Sequence, residues 1–145
     1  MINRIAFQNR LNTYNLFKQV NPFQLRGCMA IIDEFESRND LTDKRWLAYM
    51  LATVYHETAK TMEPIEEYGK GKGRKYGQKI KQSGKAYYEP DQLYFGRGFV
   101  QLTWYENYER FGKLLKVNLL EEPYLAMRAE ISTKILFEGM IHGLF

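Results

Sequence analysis

Apolar residues recur at three- and four-residue steps through five stretches of this 145-residue chain, the spacing of helices with one dry face. In the first, residues 3–18, the series is Phe7, Leu11, Tyr14 and Phe17. Asn21 and Pro22 then read as a cap and first helical position, opening a second helix to about Arg38. Its inward series is Leu25, Cys28, Met29, Ile32 and Phe35, with Asp33, Glu34 and Glu36 outward. A third helix follows, capped by Asp40 or Thr42, with Trp46, Leu47, Met50, Leu51 and Val54 as its core stripe. Thr103 and Glu106 have the spacing of a capping box ahead of a fourth, whose apolar face is Trp104, Tyr108, Phe111 and Leu115. After a connector broken by Pro123, a fifth helix spans about Ala129 to His142, with Ile131, Ile135, Leu136 and Met140 inward. Short strands are expected near Glu66 to Tyr68 and Tyr94 to Val100, so the fold class is mainly α with a small β element, in one domain covering 1–145.

The third helix carries the first candidate for chemistry. Glu57 lies seven residues after Met50 and three after Val54, which continues the apolar stripe with a carboxyl group. Burial there disfavours the charged form and suits a general acid. At the stripe's edge, near the helix end, the same residue reaches water. Pro64 cannot continue the helix, so the chain turns near Met62 to Pro64 and Glu66 and Glu67 return on the following segment. One of them can then face Glu57 across a cleft, and two carboxyls in unlike settings are the arrangement that hydrolyses a glycosidic bond.

Between Gly69 and Tyr88 no period is visible, and five glycines punctuate a polar stretch expected to form a functional loop and a small hairpin. The Gly-Lys-Ser/Thr ending of a phosphate loop is absent. This stretch changes the charge picture. The formal charge is +4, yet between Glu67 and Glu89 no acid occurs while Lys70, Lys72, Arg74, Lys75, Lys79, Lys81 and Lys85 supply seven positive charges. Such a segment attracts polyanions, whether nucleic acid, anionic lipid or the acidic polymers of a bacterial wall, although a solvated loop without a partner is the commoner reason for a charge run. The single cysteine, Cys28, excludes an internal disulfide and is expected to pack as a small apolar residue. No apolar run approaches the ~20 residues of a membrane span, and the amino-terminal segment lacks a secretory signal. Synthesis in the cytoplasm is therefore expected, with any substrate outside it, such as a cell wall, reached only after release. A zinc protease is set aside, because His56-Glu57 would need a histidine at position 60, where Lys60 stands. With only His56 and His142 in the chain, no metal site and no cofactor are expected.

Two blocks carry a family resemblance: His56-Glu57-Thr58 with Glu66-Glu67-Tyr68, and Phe95-Gly-Arg-Gly-Phe-Val-Gln-Leu-Thr-Trp104 with Asn107-Tyr108. In these the sequence resembles the glycoside hydrolase family 19 chitinases and, more closely, related phage and prophage endolysins of lysozyme-like fold. The resemblance implies a helical domain with a small β-hairpin or loop lobe beside a cleft, and inverting hydrolysis of β-1,4 linkages in polymers containing N-acetylglucosamine. It implies Glu57 as general acid and Glu66 as the base that activates water. It further implies that Thr103 helps place that water, that Gln101 and Asn107 bind sugar, and that His56 orients the acid or the substrate. The expected partner is peptidoglycan or a chitin-like polysaccharide, with no nucleic acid and a monomeric chain. Phe95 replaces the tyrosine that commonly precedes Gly-Arg-Gly in the family.

Competing readings stay open at this level. Glu67 could be the base in place of Glu66. A lytic transglycosylase needs only one carboxyl, and chitin could replace peptidoglycan as substrate. A non-enzymatic, basic wall- or nucleic-acid-binding module would use the charged stretch alone, though no recognised nucleic-acid motif accompanies it.

Overall fold

The computed structural model describes residues 1–14, 16–74 and 94–145, and the backbone of 81–82 and 85–86. Helix α1 is Arg4–Thr13, with the Asn3 side chain accepting the Ala6 N–H at 2.9 Å. It is shorter than the pattern predicts: Phe17 is buried but lies beyond the helix, and Tyr14 is exposed. Asn12 and Thr13 explain the early stop, because short polar and β-branched side chains favour other backbone states. Helix α2, Pro22–Ser37, begins as expected, with Asn21 and Gln24 forming a reciprocal capping box.

Helix α3 is Lys44–Glu57, and its cap is Asp43 rather than Asp40 or Thr42. Asp43 accepts the Arg45 backbone N–H at 2.9 Å, while Asp40 is drawn off by the Arg38 guanidinium at 3.1 Å. Leu47, Met50 and Val54 are buried as the stripe requires, but Trp46 is surface-facing. Strand β1, Ile65–Glu66, pairs antiparallel with β4, Arg97–Gly98, while β2, Lys81–Gln82, and β3, Lys85–Ala86, form a separate hairpin. The hairpin falls in the glycine-punctuated stretch; the remainder of that expectation, over 75–80, 83–84 and 87–88, lies outside the described residues.

Helix α4 is Tyr105–Leu115, and the capping box expected from Thr103 and Glu106 does not form. The Thr103 hydroxyl instead donates to the Gln101 carbonyl at 2.7 Å, and Trp104 occupies the cap position with φ of 78°. A short 3-10 turn, Pro123–Met127, leads into α5, Ala129–Ile141. Ile135 and Leu136 of α5 are buried, whereas Ile131 and Met140 are half-buried.

Two apolar clusters result. One gathers α2, α3 and the C-terminal half of α5 around Ile31, Ile32, Met50, Val54, Leu136 and Phe137. The other packs Tyr94, Leu102, Tyr108, Phe111, Leu119 and Ile135 around α4. Helix α5 contributes to both and joins them. Cys28 is buried in the first, where desolvation pushes its thiol up to about 11, so it behaves as the apolar filler expected. Among the described residues, no helix is long and apolar enough to cross a membrane.

Candidate active site

The site is built where α3 gives way to β1. Thr58 is buried and ends the helix: its hydroxyl donates to the Val54 carbonyl at 2.6 Å and accepts the Met62 N–H at 3.0 Å. Thr61 repeats the device one step on, donating to the Thr58 carbonyl at 2.8 Å and accepting the Glu63 N–H at 3.2 Å. Ala59, Lys60 and Met62 all have positive φ, between 49° and 69°, which non-glycine residues adopt only when their surroundings impose it. Helix α2 imposes it here. Gln24 Nε2 donates to the Lys60 carbonyl at 3.0 Å, and a Cβ on Gly27 would lie 1.7 Å from the Met62 carbonyl oxygen, so only glycine lets the turn press so close. Glu57, the last residue of α3, is thereby held one clamped turn away from β1.

Glu57 and His56 are both exposed. Of the two settings the pattern leaves open to Glu57, the dry face and the wet edge of the stripe, the structure has the wet edge. The stripe fades at the last turn, where the chain bends away and leaves residue 57 with no element packed over it. The bare protein does not shield this carboxyl from water.

Glu66 is held quite differently. The β1–β4 register sets it directly opposite Arg97, whose Nε donates to Glu66 Oε1 at 3.0 Å, and Lys70 Nζ approaches Oε2 at 3.3 Å. Partial burial by itself would push the Glu66 carboxyl up. The hydrogen bonds and charges of Arg97 and Lys70 outweigh it and hold the group below the usual carboxylate range. Glu66 is therefore ionised at neutral pH, as an acceptor of a proton from water must be. Glu67, just beyond the end of β1, is tied to backbone: its N–H donates to the Gly96 carbonyl at 2.7 Å and its Oε2 accepts the Gly96 N–H at 3.2 Å.

Arg97 is the residue that pattern reading missed. It is buried, its guanidinium is centred 3.7 Å over the Phe95 ring, and Nη1 donates to the Tyr108 hydroxyl at 3.1 Å. That hydroxyl in turn donates to the Phe95 carbonyl at 2.8 Å, and burial pushes it up to about 12 against the opposing pull of Arg97, so it keeps its proton. A charged residue between two glycines inside an apolar run was the available signal. The second glycine is explained by crowding, since Gly98 has φ of 84° and a Cβ there would lie 2.7 Å from both the Ala126 carbonyl and Ser132 Oγ.

Gln101 and Asn107 have folding roles. Gln101, at φ of 51°, donates through Nε2 to the carbonyls of Ile65 and Gly98 at 3.0 and 3.2 Å, and so fastens its loop across the β1–β4 pair. Asn107 Nδ2 donates to the Thr103 carbonyl at 2.9 Å. Each amide keeps an oxygen able to accept from a sugar hydroxyl. The structure thus joins Glu66, Glu67, Arg97 and Gln101 through one small ladder and Thr103 with Asn107 at the start of α4. Glu57 and His56 precede the turn, at the end of α3. Among the described residues, no cluster of histidine, cysteine and carboxylate side chains could hold a metal ion.

The model of the chitinase class I family, glycoside hydrolase family 19, matches residues 24–140. The chain belongs to this family. Over 101 residues it is 31% identical to an endochitinase of Arabidopsis thaliana, a match covering 70% of this chain and 34% of that protein. It is 35% identical over 109 residues to endochitinase 1 of Theobroma cacao, covering 68% of this chain and 33% of the relative. The chain spans about a third of the length of these curated relatives. In fold, it superposes on chitinase C from Streptomyces griseus HUT6037 with a TM-score of 0.61 at 24% identity, covering 94% of this chain and 55% of the other. A second bacterial family 19 chitinase gives 0.60 at 24% identity, over 86% and 62% of the two chains. The mainly helical, lysozyme-like architecture expected from the sequence is the one found.

Proposed function

We propose that this family 19 domain hydrolyses β-1,4 glycosidic bonds in the N-acetylglucosamine-containing glycan of peptidoglycan, as a cell-wall lytic enzyme, with inversion at the anomeric carbon. Glu57 protonates the leaving oxygen and Glu66 takes a proton from the attacking water. Thr103 helps to place that water, Gln101 and Asn107 hold sugar, and His56 orients the acid or the substrate. The observation that carries this reading is the unequal setting of the two carboxyls. Glu66 is fixed as an anion by Arg97 and Lys70, whereas Glu57 stands exposed at a helix end where a bound polymer would cover it. Covering a carboxyl favours its protonated form, so substrate and acid would become competent together.

The acid-free basic stretch after Glu67 favours an anionic wall polymer. A second reading, chitin, is favoured by the names of the relatives, which are endochitinases. Parallel digestion of peptidoglycan and chitin oligomers, with identification of the new ends and their anomeric form by NMR, separates the two. Inverted products from peptidoglycan are expected. Products with an internal anhydro ring would instead mean a transglycosylase. Glu57→Gln is expected to abolish cleavage with the fold retained by circular dichroism, and cleavage by that variant would remove Glu57 from the acid's role. Loss in Glu67→Gln alone, with Glu66→Gln active, would reassign the base.

A further inference from the structure

The surface of α3 holds a feature the cleavage reading does not use. Trp46, which the pattern assigns to the core, is 38% exposed, and Tyr49 one turn on is 64% exposed. Together with Asp43 and Arg45 they line a shallow depression of about 270 Å³ at the start of the helix. Its rim is polar and fixed: Arg45 Nε donates to both Asp43 oxygens at 3.1 and 2.9 Å, and Asp43 is anchored as the helix cap. Neither the Trp46 indole N–H nor the Tyr49 hydroxyl is taken up by a hydrogen bond among the described residues.

The depression lies on the same side of α3 as the candidate acid. At about 100° per residue, Trp46, Thr53 and Glu57 fall within about 40° of one another around the axis, with Tyr49 and His56 roughly 60–80° round from Trp46 on one side. At about 1.5 Å per residue, Trp46 lies about 16 Å from Glu57 along the helix. One outward strip, aromatic at its start and carboxylate at its end, therefore runs the length of α3, while Leu47, Met50 and Val54 turn inward roughly 40–100° round from Trp46 on the other side.

The geometry points to an extended polysaccharide-binding track, on which a β-1,4-linked N-acetylhexosamine chain lies over Trp46 and Tyr49 and continues toward Glu57. The chemistry matches that ligand. A pyranose ring offers an apolar C–H face that stacks on an aromatic ring and a periphery of hydroxyl and amide groups for Asp43, Arg45 and the two unsatisfied aromatic donors. A folded protein partner would need about 800 Å² per side around an apolar centre. Four residues, two of them an ion pair, do not provide it. The choice of ligand rests on the cleavage reading, but the occupancy of Trp46 is measured without turnover.

The test uses Glu57→Gln protein, so that chains bind without being cut. The chain has two tryptophans, so its spectrum holds two indole N–H signals, assigned with Trp46→Phe and Trp104→Phe. The probes are the hexamer of β-1,4-linked N-acetylglucosamine, solubilised peptidoglycan glycan strands, and the disaccharide, which is too short to span the strip. The Trp46 signal is expected to move with at least one long probe and not with the disaccharide placed at the cleft. In the same background, Trp46→Ala with Tyr49→Ala is expected to weaken retention on the insoluble polymer at least tenfold, and Trp46→Tyr to restore most of it. The track is overturned if long chains shift the signals of Gln101 and Glu66 while Trp46 stays still, if the double variant is retained like its parent, or if neither long probe shifts any signal. Movement of Trp46 in a protein whose unmodified form cuts neither polymer would leave the track standing and remove the hydrolase reading.

Discussion

At the scale of single residues, Arg97 holds the most together. It joins the Glu66 carboxylate, the Tyr108 hydroxyl and the Phe95 ring in one buried arrangement. Removing one partner of a buried charge pair costs roughly 3–5 kcal/mol, less where the other partner keeps some water, and the Glu66 side chain is 31% exposed. Arg97→Ala is expected to lower Tm clearly and to abolish activity. Arg97→Lys should retain the charge but lose the stacking and the second donor, leaving a folded protein of much reduced kcat. The sign of the pH effect follows from the depressed folded-state carboxyl. Glu66 contributes its stabilisation fully above the ordinary value of 4.5, and the contribution is lost as the pH falls through the lower folded-state value. Between pH 5 and 3, Tm of the unmodified protein should therefore fall more steeply than that of Glu66→Gln, which thermal unfolding at stepped pH would measure.

At the scale of elements, the clamp of α2 on the Thr58 to Glu63 turn decides where Glu57 ends up. Gly27→Ala would put a methyl group against the Met62 carbonyl, so either the turn or α2 must move. Overpacking of this kind costs about 1–3 kcal/mol, and kcat should fall by more than Tm alone accounts for, because the displaced turn adjoins Glu57, the proposed acid. Gly98→Ala meets two oxygens at 2.7 Å and a left-handed backbone together, and a loss of roughly 2–4 kcal/mol is expected by denaturant titration. The same element explains part of what the pattern could not show. The spacing of Thr103 and Glu106 satisfies a capping box on paper, but the neighbouring strand pair pulls Gln101 and Trp104 into positive φ and turns the threonine hydroxyl back to the Gln101 carbonyl. A local rule lost to a tertiary constraint.

At the scale of the molecule, α5 is the strut that joins both apolar clusters, and α1 is its opposite, with Leu11 as its one buried residue. Native-state hydrogen exchange should find α1 amides opening at far lower free energy than those of α2 and α5. Helix α5 ties the unit built on α2 and α3, which carries Glu57, to the unit built on α4. Substitutions that loosen α5, such as Ser132→Ala, which removes the acceptor of the Phe99 N–H, should affect activity as well as stability.

Helix number and most helix starts were determined by the sequence, because periodicity, capping residues and proline act over a few neighbours. The chemistry of the two carboxyls was not. Whether Glu57 is wet, whether Glu66 is ionised and whether Trp46 faces core or solvent depend on what packs across from each side chain. Those neighbours, Arg97 above all, arrive from 31 or more residues away and only when the chain has closed.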